Sequence, residues 1–323
     1  MSACETCQYC DVINRYCNRM QKTLQKCAGG CKFNRKDIKT EEDIRKEEEA
    51  RKTALLPFLD KIICGDSLET MKKLPDNSID AIITSPPYNI RNSSGGSWKY
   101  YANRRDRLEL NGLFKSSLLD KQGYDVHSDD MPYDEYVQWQ KNCLAEMLRV
   151  LKPTGFIFYN HKSRVQKGLL QSRWEIVGDF PVRQVITWWR GKLANDINDS
   201  YFFNNVEQIY FIAKQRKSYL KKGANKFGLV WQITPAYDKK KYKHPAPFPI
   251  ELPDRCLDSL NLTSDSIVLD PFMGGGSVAL SALKHNIHYI GIDLSPGYCQ
   301  MAEERIVEWH KEKANQPKQE ELF

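Results

Sequence analysis

Hydrophobic and polar positions divide the 323-residue chain into contrasting stretches. Residues 1–57 have no sustained apolar period. Within them, residues 36–52, KDIKTEEDIRKEEEARK, combine strong helix formers of both charge signs and predict an exposed helix or linker. From Asp60 onward, short apolar runs alternate with segments of helical period. KIICGDSLETMKKLPDNSIDAIITSPPY predicts strand, Gly-Asp turn, short helix and second strand. YDEYVQWQKNCLAEMLRVLKPTGFIFYN predicts a helix with Tyr136, Trp139, Cys143, Met147 and Val150 on one stripe, then a Pro-Thr-Gly turn and a strand over 156–159. WEIVGDFPVRQVITWWR and VEQIYFIAK read as further strands, and SIVLDPFMGGGSVALSALKHNIHYIGIDLS as strand, glycine turn, helix over 278–285, strand. Such alternation predicts an α/β fold, a parallel or mixed sheet with helices on both faces. The domain expectation is a cysteine-rich module over 1–34, a charged linker over 35–57 and a main domain over 58–323.

Length permits one large domain with insertions, and the charged fraction of 28% fits a soluble chain without a membrane span or signal peptide, hence a cytoplasmic one. The formal net charge of +7 leans toward an anionic partner. Its placement adds more. SWKYYANRRDR, with Arg104, Arg105 and Arg107, and YDKKKYKH, with Lys239, Lys240 and Lys241, interleave bases with aromatics, the mixture that grips phosphates and stacks on nucleobases.

Six of the ten cysteines, Cys4, Cys7, Cys10, Cys17, Cys27 and Cys31, crowd the first stretch. Disulfides are disfavoured in a cytosolic chain, so metal is the leading account, with a subset ligating Zn²⁺. Cys7-x2-Cys10-x6-Cys17 resembles half of a fungal-type binuclear zinc cluster, but the closing cysteine is missing from the second half. An iron–sulfur cluster and no metal at all stay open.

The strand ending at Asp270 runs through PFMGGGS into a helix, and the next strand ends at Asp293. Glycines at that junction let a ligand approach the backbone, and an acid one strand–helix–strand unit later suits ribose hydroxyls. Neither the Gly-x-Gly-x-x-Gly pattern nor a Lys-Ser/Thr after the glycines is present. A nucleoside without a phosphate chain remains, and S-adenosylmethionine is the candidate.

TSPPY together with LDPFMGGGS resembles the catalytic and cofactor motifs of the amino-methylating DNA methyltransferases, which modify exocyclic nitrogens of cytosine or adenine. The catalytic motif precedes the cofactor motif, as in the β arrangement of that family, and the likeness runs from about Ile62 to Val307. It implies a circularly permuted, Rossmann-like methyltransferase fold, with a catalytic half over 58–213 that carries an insertion at 92–130. A candidate target-recognition segment over 214–244 and a cofactor half over 245–323 complete it. It further implies that Ser85, Pro86, Pro87 and Tyr88 form the catalytic turn. Ser85 and the Pro86 carbonyl would accept the amino hydrogens of a base rotated out of the duplex, and Tyr88 would stack on that base. Asp270, Phe272, Gly274, Gly276, Asp293, Asp66 and Phe248 are the implied cofactor residues. In that family a serine at the head of the tetrapeptide tends to go with N4 of cytosine and an aspartate with N6 of adenine, so the resemblance implies a cytosine-N4 enzyme. The expected partners are double-stranded DNA and, in a restriction–modification rather than orphan setting, a separate cognate endonuclease. The competing readings are an N6-adenine enzyme on DNA or RNA and a catalytically silent DNA-binding homologue.

Overall fold

Strong helix formers behind Thr40 start the first described element. Thr40 and Asp43 cap each other reciprocally, Asp43 N donating to Thr40 Oγ1 at 3.1 Å and Thr40 N to Asp43 Oδ2 at 3.0 Å. Helix α1, Glu41–Leu55, follows and is largely exposed, as its charge pattern predicts. The computed structural model describes residues 40–89, 131–166, 168–191, 202, 204–235 and 248–315. The chain divides into two units, Met1–Ala54 and Leu55–Phe323. The six crowded cysteines, Arg104, Arg105, Arg107 and Lys239, Lys240 and Lys241 lie outside the described residues. Among the described residues no helix is long and apolar enough to cross a membrane.

In the second unit the elements are β1 (Lys61–Cys64), α2 (Ser67–Met71), β2 (Ile79–Thr84), α3 (Tyr133–Val150), β3 (Leu151–His161), β4 (Arg164–Gln166) and β5 (Leu169–Gln171). Next come α4 (Trp174–Val177), β6 (Val182–Trp189), β7 (Val206–Ala213), β8 (Val230–Gln232) and α5 (Glu251–Asp258). The chain closes with β9 (Ile267–Asp270), α6 (Ser277–Lys284), β10 (His288–Asp293) and α7 (Pro296–Ala314). Eight strands form one mixed sheet in the order β1-β10-β9-β2-β3-β7-β6-β8, with β4 and β5 as a separate hairpin. The strands from β1 to β3 run parallel, β7 is antiparallel to both β3 and β6, and β8 is parallel to β6.

Period-two alternation divides the core. Ala81 and Ile83 of β2 join Phe156, Phe158, Val268 and Val278 on one face, while Ile82 joins Ile157, Leu269, Leu144 and Met147 on the other. Central β9 is buried at every position, which is why IVLD reads as an unbroken apolar run. The last two strands in sequence insert between the first and second, so chain order and sheet order disagree. From β9 the chain winds one way, to β10, and from β2 the other way, to β3. The crevice between the carboxyl ends of β9 and β2 is therefore the topological switch point, where open α/β sheets bind ligands.

Two local readings change. Pro153, Thr154 and Gly155 lie within β3 as an irregularity, the register jumping between the pairs Ile79↔Leu151 and Ala81↔Phe156. Residues 174–177 are a helical turn with Ile176 and Val177 buried, and the strand starts only after Pro181, which disfavours helix at the residue before it. The described part of the candidate recognition segment builds the sheet edge. Trp231 of β8 is buried, and Lys214 Nζ donates to Asn77 Oδ1 at 2.8 Å and to the Leu151 carbonyl at 2.9 Å.

Candidate active site

The carboxyl ends of β1, β10, β9 and β2 carry, in spatial order, Asp66, Asp293, Asp270 and Ser85. Asp270 is buried, and its Oδ1 accepts from Thr84 Oγ1 at 2.7 Å and from Phe272 N at 3.0 Å. One bond thus ties the end of β9 to the residue before Ser85. Burial pushes the Asp270 carboxyl up to about 7 against those two hydrogen bonds, and the charge of Asp293 adds to the rise. Asp293 is raised by burial too, although Gly274 N donates to its Oδ2 at 2.8 Å and Ser295 N to its Oδ1 at 2.9 Å. Asp66 caps α2 by accepting from Glu69 N at 2.9 Å, and the neighbouring Ser67 hydroxyl donates to the Pro271 carbonyl, which draws the CGDS turn to the glycine turn.

Gly274 and Gly276 have φ of 50° and 78°. At Gly276 a Cβ would stand 2.9 Å from Ala302 Cβ, so helix α7 leaves no room for a side chain. Gly276→Ala combines left-handed backbone with overpacking, and an expected loss of roughly 1–3 kcal/mol would show in urea denaturation; wild-type stability would contradict this packing. Phe272 meets Trp139 of α3 edge-on at 5.6 Å, and Phe248 is held by Ser277 Oγ, which donates to its carbonyl at 2.6 Å. The turn thus offers one buried carboxylate, Asp270, one half-buried carboxylate, Asp293, and backbone N–H groups. Carboxylates repel a phosphate but pair with a cation and accept from a diol, so the residues fit a cationic nucleoside.

The second half of the site is the turn after β2. The Pro87 carbonyl accepts from Tyr136 OH at 2.9 Å and from Gln140 Nε2 at 3.2 Å, whereas among the described residues no hydrogen bond reaches the Pro86 carbonyl. Tyr136 is itself fixed by His161. Lys162 N donates to His161 Nδ1 at 2.7 Å, which leaves the ring proton on Nε2, 2.6 Å from Tyr136 OH. Burial, reinforced by the Arg173 guanidinium, holds His161 well below the usual imidazole range and keeps it neutral. Its ring stacks on Tyr88 at 4.5 Å and 18°. One face of Tyr88 is therefore occupied by protein.

On the far side of the turn, Ser85 Oγ lies 2.8 Å from Tyr88 OH, and Tyr88 OH donates to Glu207 Oε2 at 2.9 Å. Asn160 Nδ2 reaches Tyr88 OH at 2.7 Å and Glu207 Oε2 at 2.8 Å, with Ser85 Oγ more distant at 3.3 Å. Arg190 Nη1 pairs with the other Glu207 oxygen at 3.0 Å.

Residues 79–304 match the family model described as DNA methylase, of the N6/N4 methyltransferase group. The chain belongs to this DNA methylase family. Among curated relatives, the methylase is 28% identical over 268 residues to the type II methyltransferase M.HpaI of Haemophilus parainfluenzae, covering 76% of this chain and 74% of that one. It is 27% identical over 279 residues to M.BglII of Bacillus subtilis, covering 76% and 68%. In fold it is similar to the PvuII DNA methyltransferase (cytosine-N4-specific), with TM-score 0.55 and 18% identity over 77% of this chain and 90% of that one. A Thermus thermophilus protein described as a DNA modification methylase, complexed with S-adenosyl-L-methionine, gives TM-score 0.52 and 18% identity over 77% and 93%. The fold expected from the sequence, a permuted Rossmann-like methyltransferase sheet, is the fold observed.

The DNA methylase thus gathers Asp66, Asp270, Phe272, Gly274, Gly276, Asp293 and Ser85 to Tyr88 at the carboxyl ends of its parallel strands. Sequence reasoning missed Tyr136, Gln140, Asn160, His161, Arg190 and Glu207. Tyr136 and Gln140 carried a signal, a polar residue one turn along a buried stripe. Asn160, His161 and Glu207 sit in strands, where a polar residue reads as solvent-facing, and Arg190 directly follows β6.

Proposed function

We propose that this methylase transfers the methyl group of S-adenosyl-L-methionine to the exocyclic N4 of a cytosine rotated out of duplex DNA. The observation that carries the reading is the Thr84–Asp270 hydrogen bond of 2.7 Å, which joins the glycine turn to the SPPY turn across the switch point. When bound, the cofactor supplies a methyl group on a cationic sulfur. Asp270, Phe272, Gly274 and Gly276 hold its methionine end, Asp293 its ribose, Asp66 its adenine side, and Phe248 closes over it.

The amino group of a nucleobase is a weak nucleophile because its lone pair is delocalised into the ring. Ser85 Oγ and the Pro86 carbonyl accept its two hydrogens, letting the nitrogen pyramidalise and free the lone pair. The division of labour between the prolines supports this. Pro87 gives its carbonyl to Tyr136 and Gln140 and so anchors the turn, while Pro86 keeps its carbonyl for the substrate. The base stacks on Tyr88, whose ring His161 steadies. A neutral hydroxyl at the head of the turn favours cytosine over adenine, and the fold neighbour with stated cytosine-N4 specificity agrees with that choice. Arg104, Arg105, Arg107 and Lys239, Lys240 and Lys241 grip the duplex.

Nucleoside mass spectrometry of plasmid DNA from cells expressing the protein, beside an empty-vector control, tests the reading. N4-methylcytosine is the expected product. N6-methyladenine would overturn the choice of base and leave the transfer chemistry intact, and the absence of either would overturn the function.

A further inference from the structure

A serine hydroxyl that accepts an amino proton cannot keep it, because a doubly protonated hydroxyl is a strong acid. It can pass a proton on only if its own hydrogen already points at another acceptor. The Ser85 hydroxyl has such an acceptor. Tyr88 OH, 2.8 Å away, spends its hydrogen on Glu207 Oε2 at 2.9 Å and is left with its oxygen facing Ser85. Asn160 reinforces that direction. Its Nδ2 hydrogens go to Glu207 Oε2 at 2.8 Å and Tyr88 OH at 2.7 Å, so it acts as a donor to both and cannot reverse the chain. Glu207 is 7% exposed and Asn160 1%, so bulk water has little access to the far end of this chain. A buried carboxylate costs stability unless it is paired, and Arg190 at 3.0 Å supplies the pair on the oxygen that the chain does not use.

We propose that Ser85, Tyr88 and Glu207 form a proton relay in which Glu207 takes up the proton that the methylated amine must lose. As the N–CH3 bond forms and the S–CH3 bond breaks, the substrate nitrogen becomes cationic. Its N–H bond then breaks and the proton goes to Ser85 Oγ. The Ser85 hydrogen moves to Tyr88, the Tyr88 hydrogen moves to Glu207 Oε2, and Glu207 becomes neutral until it loses the proton to solvent. Two hydroxyls end with as many hydrogens as they began, and the carboxylate holds the one extra. Glu207 touches no substrate atom in this scheme and acts through Tyr88 and Ser85, as a positioning residue and proton acceptor.

The relay rests on the reading of Ser85 as acceptor of the amine, so the full-length wild-type protein is assayed first on unmethylated plasmid DNA. Either methylated base leaves the relay standing, and no methyl transfer to DNA would overturn both readings. Glu207→Gln keeps the size and the hydrogen bond from Tyr88 but cannot take up a proton. Single-turnover transfer by this variant is expected to slow on the order of 10²-fold at unchanged cofactor affinity. Its rate ratio between H2O and D2O should rise above that of wild type, because proton departure becomes limiting, and Glu207→Asp should recover part of the rate. A Glu207→Gln enzyme with wild-type rate, or one slowed with an unchanged isotope effect, would overturn the relay. Should that variant not fold, Tyr88→Phe interrupts the same chain and must show the same rise in isotope effect.

Discussion

Ser85→Ala is expected to lower the single-turnover rate of methyl transfer on the order of 10³-fold while changing cofactor affinity by less than about threefold. The asymmetry follows from where the bonds go. Ser85 Oγ faces Tyr88 OH and Asn160, both on the base side of the turn, whereas the contact with the glycine turn is made by Thr84 through Asp270. Removing the hydroxyl therefore takes an acceptor from the reacting nitrogen and leaves the cofactor residues in place. It also leaves Tyr88 bonded to Glu207 and Asn160, so stability should change by no more than about 1 kcal/mol. Rapid-quench methyl transfer with a labelled cofactor and calorimetric titration of the same preparations read the two effects separately. An alanine enzyme with undiminished rate would remove Ser85 from the chemistry, and equal losses in rate and affinity would mean that the turn had collapsed.

The two halves of this site differ in how visible they are in the chain. SPPY stands out because two prolines after a buried strand have no role in a sheet, and the glycines of PFMGGGS because a strand-to-helix turn needs left-handed backbone at Gly274 and Gly276. Both are local signals. Glu207 is the opposite case. In VEQIYFIA it stands with Gln208 at the polar start of an apolar run and reads as a solvent-side position, yet β7 pairs with β3 on one side and β6 on the other, bringing Glu207 beside Asn160 and Arg190. That neighbourhood exists only once two antiparallel registers, both long-range, are set. The permutation was legible from motif order alone. What motif order could not show is that β9 and β10 slot between β1 and β2, which turns the ends of four strands into one row of acids and a serine.

Asp270 gives that row a pH dependence whose sign is opposite for stability and for binding. Its carboxyl rises from 3.8 to about 7 in the folded chain because it is buried. Below about pH 4 it is protonated in both states. Between about 4 and 7 the folded protein holds a proton that the unfolded chain has released, so the cofactor-free protein loses stability as pH rises through this window, by at most about 4 kcal/mol, and levels off above it. Cofactor binding runs the other way. Pairing with a cationic ligand needs the ionised carboxylate, so affinity should fall about tenfold per unit as pH drops below 7. Asp270→Asn keeps the acceptor, since Thr84 and Phe272 both bond to Oδ1, and removes only the titration and the charge. At pH 8 it is expected to bind S-adenosyl-L-methionine on the order of 10²-fold more weakly, with a flatter pH dependence, and yet to unfold at higher urea than cofactor-free wild type. Titration calorimetry at several pH values and urea denaturation at pH 8 check the two halves. A general disruption of the fold could weaken binding but could not raise stability, so that opposed pair of changes is diagnostic. A variant less stable than wild type at pH 8, or one that kept the wild-type pH slope for binding, would show that the switch point draws its affinity from other groups.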